Sequence, residues 1–273
     1  MNKENMDEIR LLAETLPAIS AQMRNSLANF YSAFERIATP EHRAEDPELD
    51  RQSALLQQSY YRLLRLANNL THASRLVEDA PLPLYTVDLA ALSKEVYLEC
   101  LPHAETMGLH LHFHCESAPL IANANKDGVR CVLYHFLSNA FKFTKPGKNI
   151  TLHCRKEGMN LLLSVEDEGC GINEVSPDLL FERYLQGDHL SPAPHGLGLG
   201  LPVARHTAQT MGGQILLNSR EVGACATLIL PAQKVGTILQ EPPFYIPTFP
   251  NALTGLADAL PLKAFLQNPD AQD

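Results

Sequence analysis

The chain has no tryptophan, few aromatic residues and no apolar run near the ~18–20 residues that a membrane-crossing helix needs. Nor does it open on a basic stretch followed by an apolar leader, so the expectation is a cytoplasmic protein. The six cysteines, Cys100, Cys115, Cys131, Cys154, Cys170 and Cys225, contain no C-x-x-C pair and sit in apolar stretches. That excludes a clustered zinc or dithiol motif and points to reduced core thiols, with Cys170, in a glycine turn, the exception. Basic residues are in deficit, 22 against 31 acidic, and the net charge of −9 argues against nucleic acid as the principal partner. The 273 residues suit one small helical domain and one α/β domain, and no sensor domain is expected. Any signal is then expected from a partner or from the tail.

What is present is glycine in chosen places. Gly196, Gly198 and Gly200 alternate with Leu197 and Leu199 and run into an amphipathic helix pattern from Leu201 to His206. Bare backbone there can close over phosphates, and a helix start offers unpaired N–H groups and positive dipole charge. Upstream, Val165 to Ile172 delivers Asp167 into a turn with Gly169 and Gly171, where a carboxylate can accept from a base amine. Residues 132–144 read as a helix with His135, Asn139 and Lys142 at i, i+4 and i+7 on one face. An amide oxygen for magnesium and an ammonium for phosphate on that face are what a nucleoside triphosphate needs.

These segments resemble the N, G1 and G2 boxes of the histidine kinase ATP-binding domain, a branch of the ATPase superfamily shared with gyrase and the Hsp90 chaperones. Leu180 to Tyr184 resembles the F box, and Gly223 to Pro231 the closing strand. The resemblance implies that Asp167 contacts the adenine amine, that Asn139 is the magnesium ligand and that Lys142 meets the phosphates. It further implies that Phe143 packs near the base and that Gly196, Gly198 and Gly200 hinge a lid shortened to about Leu185–His195. Thr227 would support the adenine pocket through water. His135 stands where gyrase-like relatives keep a general-base glutamate, either as a group in the chemistry or as a partly buried helical histidine. The implied cofactors are ATP and Mg2+, and the fold class is α+β, a helical hairpin followed by a two-layer α/β sandwich.

The expected domains are 1–80 for the hairpin, 81–231 for the ATP-binding domain and 232–273 for a tail rich in proline and aromatics. Ile9, Leu12, Leu16, Ile19, Met23, Phe30 and Ile37 step by three and four, with Pro17 as a kink or break. After a loop around Thr39–Pro47, Leu56, Leu63, Leu70 and Val77 recur every seven residues. One hairpin cannot cover both stripes, so a homodimeric four-helix bundle is expected.

Ser20 to Leu27 aligns with the family's H box, and in that alignment Ala21 stands at the phosphoacceptor histidine and Gln22 at the neighbouring acid. Alanine has no nucleophilic atom, and an amide cannot serve as a base. Residue 21 is expected to face solvent, and hairpin counting pairs it with about residue 66, which leaves an exposed His72 roughly 9 Å along the axis. Asn25 matches a position where the family places an amide or hydroxyl thought to align water on a response regulator's aspartyl phosphate; otherwise it is an exposed helix residue. The implied partner is a response regulator or a partner histidine kinase. The readings are therefore a trans kinase or phosphatase, or a silent ATP-gated scaffold; a gyrase-like ATPase suffers from the missing glutamate at 135.

On the strand read at 109–115, His110, His112 and His114 share one face, taken as solvated because no carboxylate or cysteine ligand is evident nearby. The tail aromatics are expected to pack along the ATP-binding domain or to bind a partner.

Overall fold

The computed structural model describes residues 3–78, 82–172, 198–233 and 250–267, with only the helical backbone given for 3–14 and 73–78. The chain forms two compact units, Met1–Ala80 with Leu260–Asp273, and Pro81–Ala259.

The first unit is a helical hairpin of α1 (Lys3–Ile37) and α3 (Pro47–Glu78). α1 runs through Pro17 without a break; the ring removes one backbone bond, on the order of 3 kcal/mol, from a helix long enough to absorb it. The expected loop contains a short helix, α2 (Pro40–Glu45), started by Pro40 at its first turn and by the Thr39 hydroxyl accepting from the His42 N–H. α2 moves the centre of the hairpin. Tyr31 stacks on Tyr60 with ring centroids 4.2 Å apart, and Arg24 donates to Thr71 Oγ1 at 2.6 Å. Residue 21 therefore stands level with about residues 70 to 74 rather than 66, and His72 lies at that level.

His72 is also buried, not exposed. It continues the α3 stripe of Ala54, Tyr61, Arg65 and Asn68, all buried, whereas the heptad residue Leu63 is 45% exposed. The hairpin closes on this mixed stripe and leaves leucine outside. At its turn, Arg43 and Asp50 form a buried ion pair at 2.7 Å. Arg43 also donates to the Phe265 carbonyl at 2.7 Å, and Asp50 accepts from the Gln267 N–H at 3.1 Å. Residues 260–267, including a 3-10 turn at Leu262–Phe265, are thereby held to the hairpin.

The second unit is a sheet layered by helices, as the α+β expectation requires. Its strands are β2 (His110–Cys115), β4 (Asn149–Glu157), β5 (Asn160–Asp167), β6 (Gln214–Ser219) and β7 (Ala224–Pro231), in the order β2-β4-β5-β7-β6. Among the described strands only β2 and β4 pair in parallel. β1 (Tyr85–Asp88) and β3 (Ile121–Ala124) form a separate antiparallel pair. The helices are α4 (Leu89–Thr106), α5 (Lys126–Phe143), α6 (Gly200–Thr210) and α7 (Ala252–Leu256). Alternation puts Ile150, Leu152, Cys154, Leu163, Val165 and Leu228 on the helix-covered face, where all are buried. Asp88 and Asn125 start α4 and α5 by accepting from backbone N–H groups of the first turns.

Candidate functional site

The site is assembled where the end of α5 meets two turns at the end of the sheet. β5 carries Asp167 to the last position of its ladder, opposite Ile150. The carboxylate then folds back on its own turn: Oδ1 accepts from the Gly169 N–H at 2.9 Å and from the Ala224 N–H at 3.3 Å. Both bonds fall on Oδ1, so Oδ2 keeps its capacity to accept. Burial pushes the Asp167 carboxyl above its ordinary value, against the pull of the two backbone donors and of Arg220. An acid kept partly dry and fixed by backbone suits a single neutral donor such as an exocyclic amine.

Close approach explains the glycines around it. Gly223 has φ +80°, and a Cβ there would lie 1.9 Å from the Asp167 carbonyl oxygen. At Gly169 a Cβ would fall 2.6 Å from the Phe143 carbonyl oxygen. The C-terminal end of α5 thus seats directly on the Asp167 turn and brings Phe143, half-buried, beside it. Gly171 lies against Gly223. The sequence reading passed over Gly223 and the Ala224 N–H, although both stand at the start of the strand it quoted.

One turn and two turns back from Lys142, Asn139 and His135 share its side of α5. Asn139 and Lys142 are half-buried. His135 is 1% exposed, and its ring packs under the start of α6, where a Cβ on Gly200 would lie 2.9 Å from Nδ1. His135 is thus buried beneath Gly200, the placement of the buried helical histidine that the sequence left open beside a role in the chemistry. Gly198 has φ +67°, and Leu199 at the N-cap of α6 offers no side-chain cap. Among the described residues no side chain caps the first turn of α6, and its N–H groups at Gly200 and Leu201 suit an anionic acceptor. Gly196, Leu197, the Leu180–Tyr184 box and the lid at Leu185–His195 lie outside the described residues.

Thr227 does not join this group. Its register partner is Ser164, and its hydroxyl pairs with Ser164 Oγ at 2.9 Å, on the face of the sheet opposite Asp167. A period of two separates the faces, and counting back from the strand end by one residue would have shown it. Lys142, by contrast, has a partner absent from the sequence reading: its ammonium lies 3.8 Å from Asp258. No sequence pattern links the two, because Asp258 follows α7 in a segment without a motif.

The histidine face carries a carboxylate after all. His114 and His153 rings lie 5.6 Å apart, and His153 Nε2 is 3.7 Å from Glu166, which also pairs with Arg220 at 3.0 Å. Burial, with His114, Arg155 and Arg220 nearby, lowers the His153 value despite Glu166. Among the described residues no group of three histidine, cysteine or acidic side chains is arranged to hold a metal. Cys170 is exposed, while burial pushes the Cys154 thiol up to about 12. No helix among the described residues is long and apolar enough to cross a membrane.

In the other unit, the residues aligned with the H box lie on α1. Ala21 is half-buried, while Gln22 and Asn25 are exposed. Beside them, Ile19, Met23, Leu27, Phe30 and Leu63 line an apolar groove of about 490 Å³.

Residues 124–234 match the family of histidine kinase-, DNA gyrase B-, and HSP90-like ATPases. Sensor histidine kinase YcbM of Bacillus subtilis (strain 168) is 28% identical over 177 residues, 64% of this chain and 57% of YcbM. Sensor protein TorS of Escherichia coli (strain K12) is 40% identical over 104 residues, 38% of this chain and 11% of TorS. Sensor protein SrrB of Staphylococcus aureus is 26% identical over 240 residues, covering 85% of this chain and 40% of SrrB. The chain thus spans little more than half of YcbM and less than half of the other two. Among solved structures, full-length ShkA in complex with AMPPNP aligns with a TM-score of 0.60 and 26% identity, over 80% of this chain and 46% of that one. Histidine kinase AdeS of Acinetobacter baumannii, with a TM-score of 0.52 and 18% identity over 66% of this chain and 85% of its own, shares the fold. Residues 124–234 thus carry a histidine kinase-, DNA gyrase B-, and HSP90-like ATPase domain, and the relatives that the chain resembles are sensor kinases.

Proposed function

We propose that this protein is a cytoplasmic two-component signalling protein that binds Mg-ATP, dimerises through its hairpins and acts on a response regulator or partner kinase, but does not phosphorylate its own H-box position. One observation carries the nucleotide half: the Asp167 carboxylate is fixed by the Gly169 and Ala224 N–H groups, with Phe143 seated beside it. In that reading Asp167 accepts from the adenine amine, Phe143 flanks the base, and Lys142 with the first turn of α6 faces the phosphates. Gly169 and Gly171 shape the base pocket, and Gly196 to Gly200, with Leu197 and Leu199, form the lid hinge. The carboxamide oxygen of Asn139 suits a hard cation, and a bound magnesium ion would neutralise triphosphate charge there.

Ala21 carries the other half. Without a nucleophile at position 21, and without an acid at Gln22, phosphoryl transfer within the chain has no acceptor at that site. Asn25, exposed on the next turn, can orient a water on a docked regulator, which is phosphatase chemistry that needs no histidine. A catalytically silent, ATP-gated scaffold is the second reading, favoured by the combined loss at positions 21 and 22. Mixing the protein with a phosphorylated response regulator separates them: phosphate loss that stops in Asn25→Ala supports the phosphatase, and an unchanged lifetime supports the scaffold.

The exposed seam supports the dimer. Ile19, Phe30 and Leu63 are 49%, 50% and 45% exposed around one groove, an arrangement a second hairpin would cover.

A further inference from the structure

Residues 250–259 lie beyond the matched ATPase region, yet they are built into the second unit. Asn251 caps α7 by accepting from the Thr254 N–H, and Ala252, Thr254, Leu256 and Ala257 are buried. Gly255 presses on α5: a Cβ there would lie 2.2 Å from Cδ1 of Tyr134, itself fully buried. α7 is therefore fixed to the same helix that carries Asn139 and Lys142. The turn that follows delivers Asp258, whose carboxylate lies 3.8 Å from the Lys142 ammonium, with the two side chains 20% and 13% exposed.

We propose that Asp258 is an internal counter-ion to Lys142 that sets how strongly this site discriminates nucleotides by the number of their phosphates. This rests on the reading of Lys142 as a phosphate contact. A carboxylate near a mostly buried ammonium offsets part of its charge, and it repels an approaching phosphate through a medium less polar than water. The opposition grows with phosphate charge and vanishes for a neutral nucleoside. Packing of Gly255 on Tyr134 keeps Asp258 in place, so the effect belongs to the fold rather than to a chance surface pair. Asp258 acts through Lys142 and through charge, and is a tuning residue rather than a catalytic one.

The test measures dissociation constants of ATP, ADP and adenosine with magnesium for the full chain and for Asp258→Asn, Asp258→Glu and Lys142→Ala. Asp258→Asn should tighten ATP about tenfold, ADP less and adenosine not at all, with the gain shrinking at high salt. Asp258→Glu should remain near wild type, a rescue that a purely structural role does not predict. Unchanged or weaker ATP binding in Asp258→Asn, with Lys142→Ala selectively losing ATP, overturns the counter-ion and leaves the Lys142 reading standing. Equal ATP and adenosine effects in Lys142→Ala overturn that reading and the counter-ion with it.

Discussion

Asp167 shows how a residue acquires a task from its surroundings. Its burial raises the carboxyl value, while two backbone donors fix one oxygen. Only the ionised form can accept from those donors and from a base amine together. Nucleotide affinity should therefore fall as pH drops through the raised value, with a midpoint above that of an ordinary aspartate. The stability term has the opposite sign. A folded-state value above the unfolded one gives a contribution fully present below the unfolded value and lost as pH rises through the folded value. Acid thus weakens binding without this group weakening the fold. Titrating nucleotide affinity from about pH 4 to 7 checks this, with Asp167→Asn expected to bind weakly and flatly; a midpoint at or below the ordinary value contradicts it. Gly223→Ala tests the backbone. The φ of +80° alone costs about 1 kcal/mol or more, and the contact with the Asp167 carbonyl adds to it. A lower melting temperature and at least tenfold weaker nucleotide binding are expected, and wild-type values for both would show that the turn is not as tight as described. The turn that holds Asp167, Gly169 and Gly171 was legible in the sequence because tight turns demand particular residues. The side on which Thr227 stands needed the strand register, and the burial of His135 depends on α6, which packs from far along the chain.

Among the elements, α5 and β5 were legible because caps and periodicity are local. α2 was not, although Thr39-Pro40 is a start signal, because a six-residue helix has no stripe to display. That short helix shifted the pairing of α1 with α3 and with it the place of His72. The stripe that closes the hairpin was misjudged for a different reason: Arg65, Asn68 and His72 are polar yet buried, while leucine stays outside. Among the contacts that hold residues 260–267 is the Arg43–Asp50 pair, with side chains 6% exposed. Removing one member strands the other, so Arg43→Ala should cost about 3 kcal/mol in the hairpin. It should also open the segment near Phe265 to proteolysis, since Arg43 donates to that carbonyl. Resistance equal to wild type in limited proteolysis would mean the segment is held by Phe265 packing on Tyr61 instead.

At the scale of the whole molecule, the α+β class follows from the motif order, but the placing of residues 250–267 does not follow from any pattern. Their buried side chains, Leu256 and Phe265 among them, pack against residues far away in the sequence. In the proposed dimer, the outward stripe of α1 and α3 forms the contact. Charges placed in its groove, as Phe30→Glu with Leu63→Glu, should convert a dimer to a monomer in sedimentation equilibrium while nucleotide binding survives. A dimer that persists would place the contact elsewhere.

The central claim joins an intact nucleotide site to a missing acceptor, and γ-labelled ATP with magnesium addresses both together. Wild type should bind nucleotide yet retain no label, Ala21→His should become labelled with an acid-labile, alkali-stable phosphate, and Asn139→Ala in that background should abolish the label. Acid-labile, alkali-stable label on the wild-type chain would contradict the account, because it would show an acceptor histidine other than position 21.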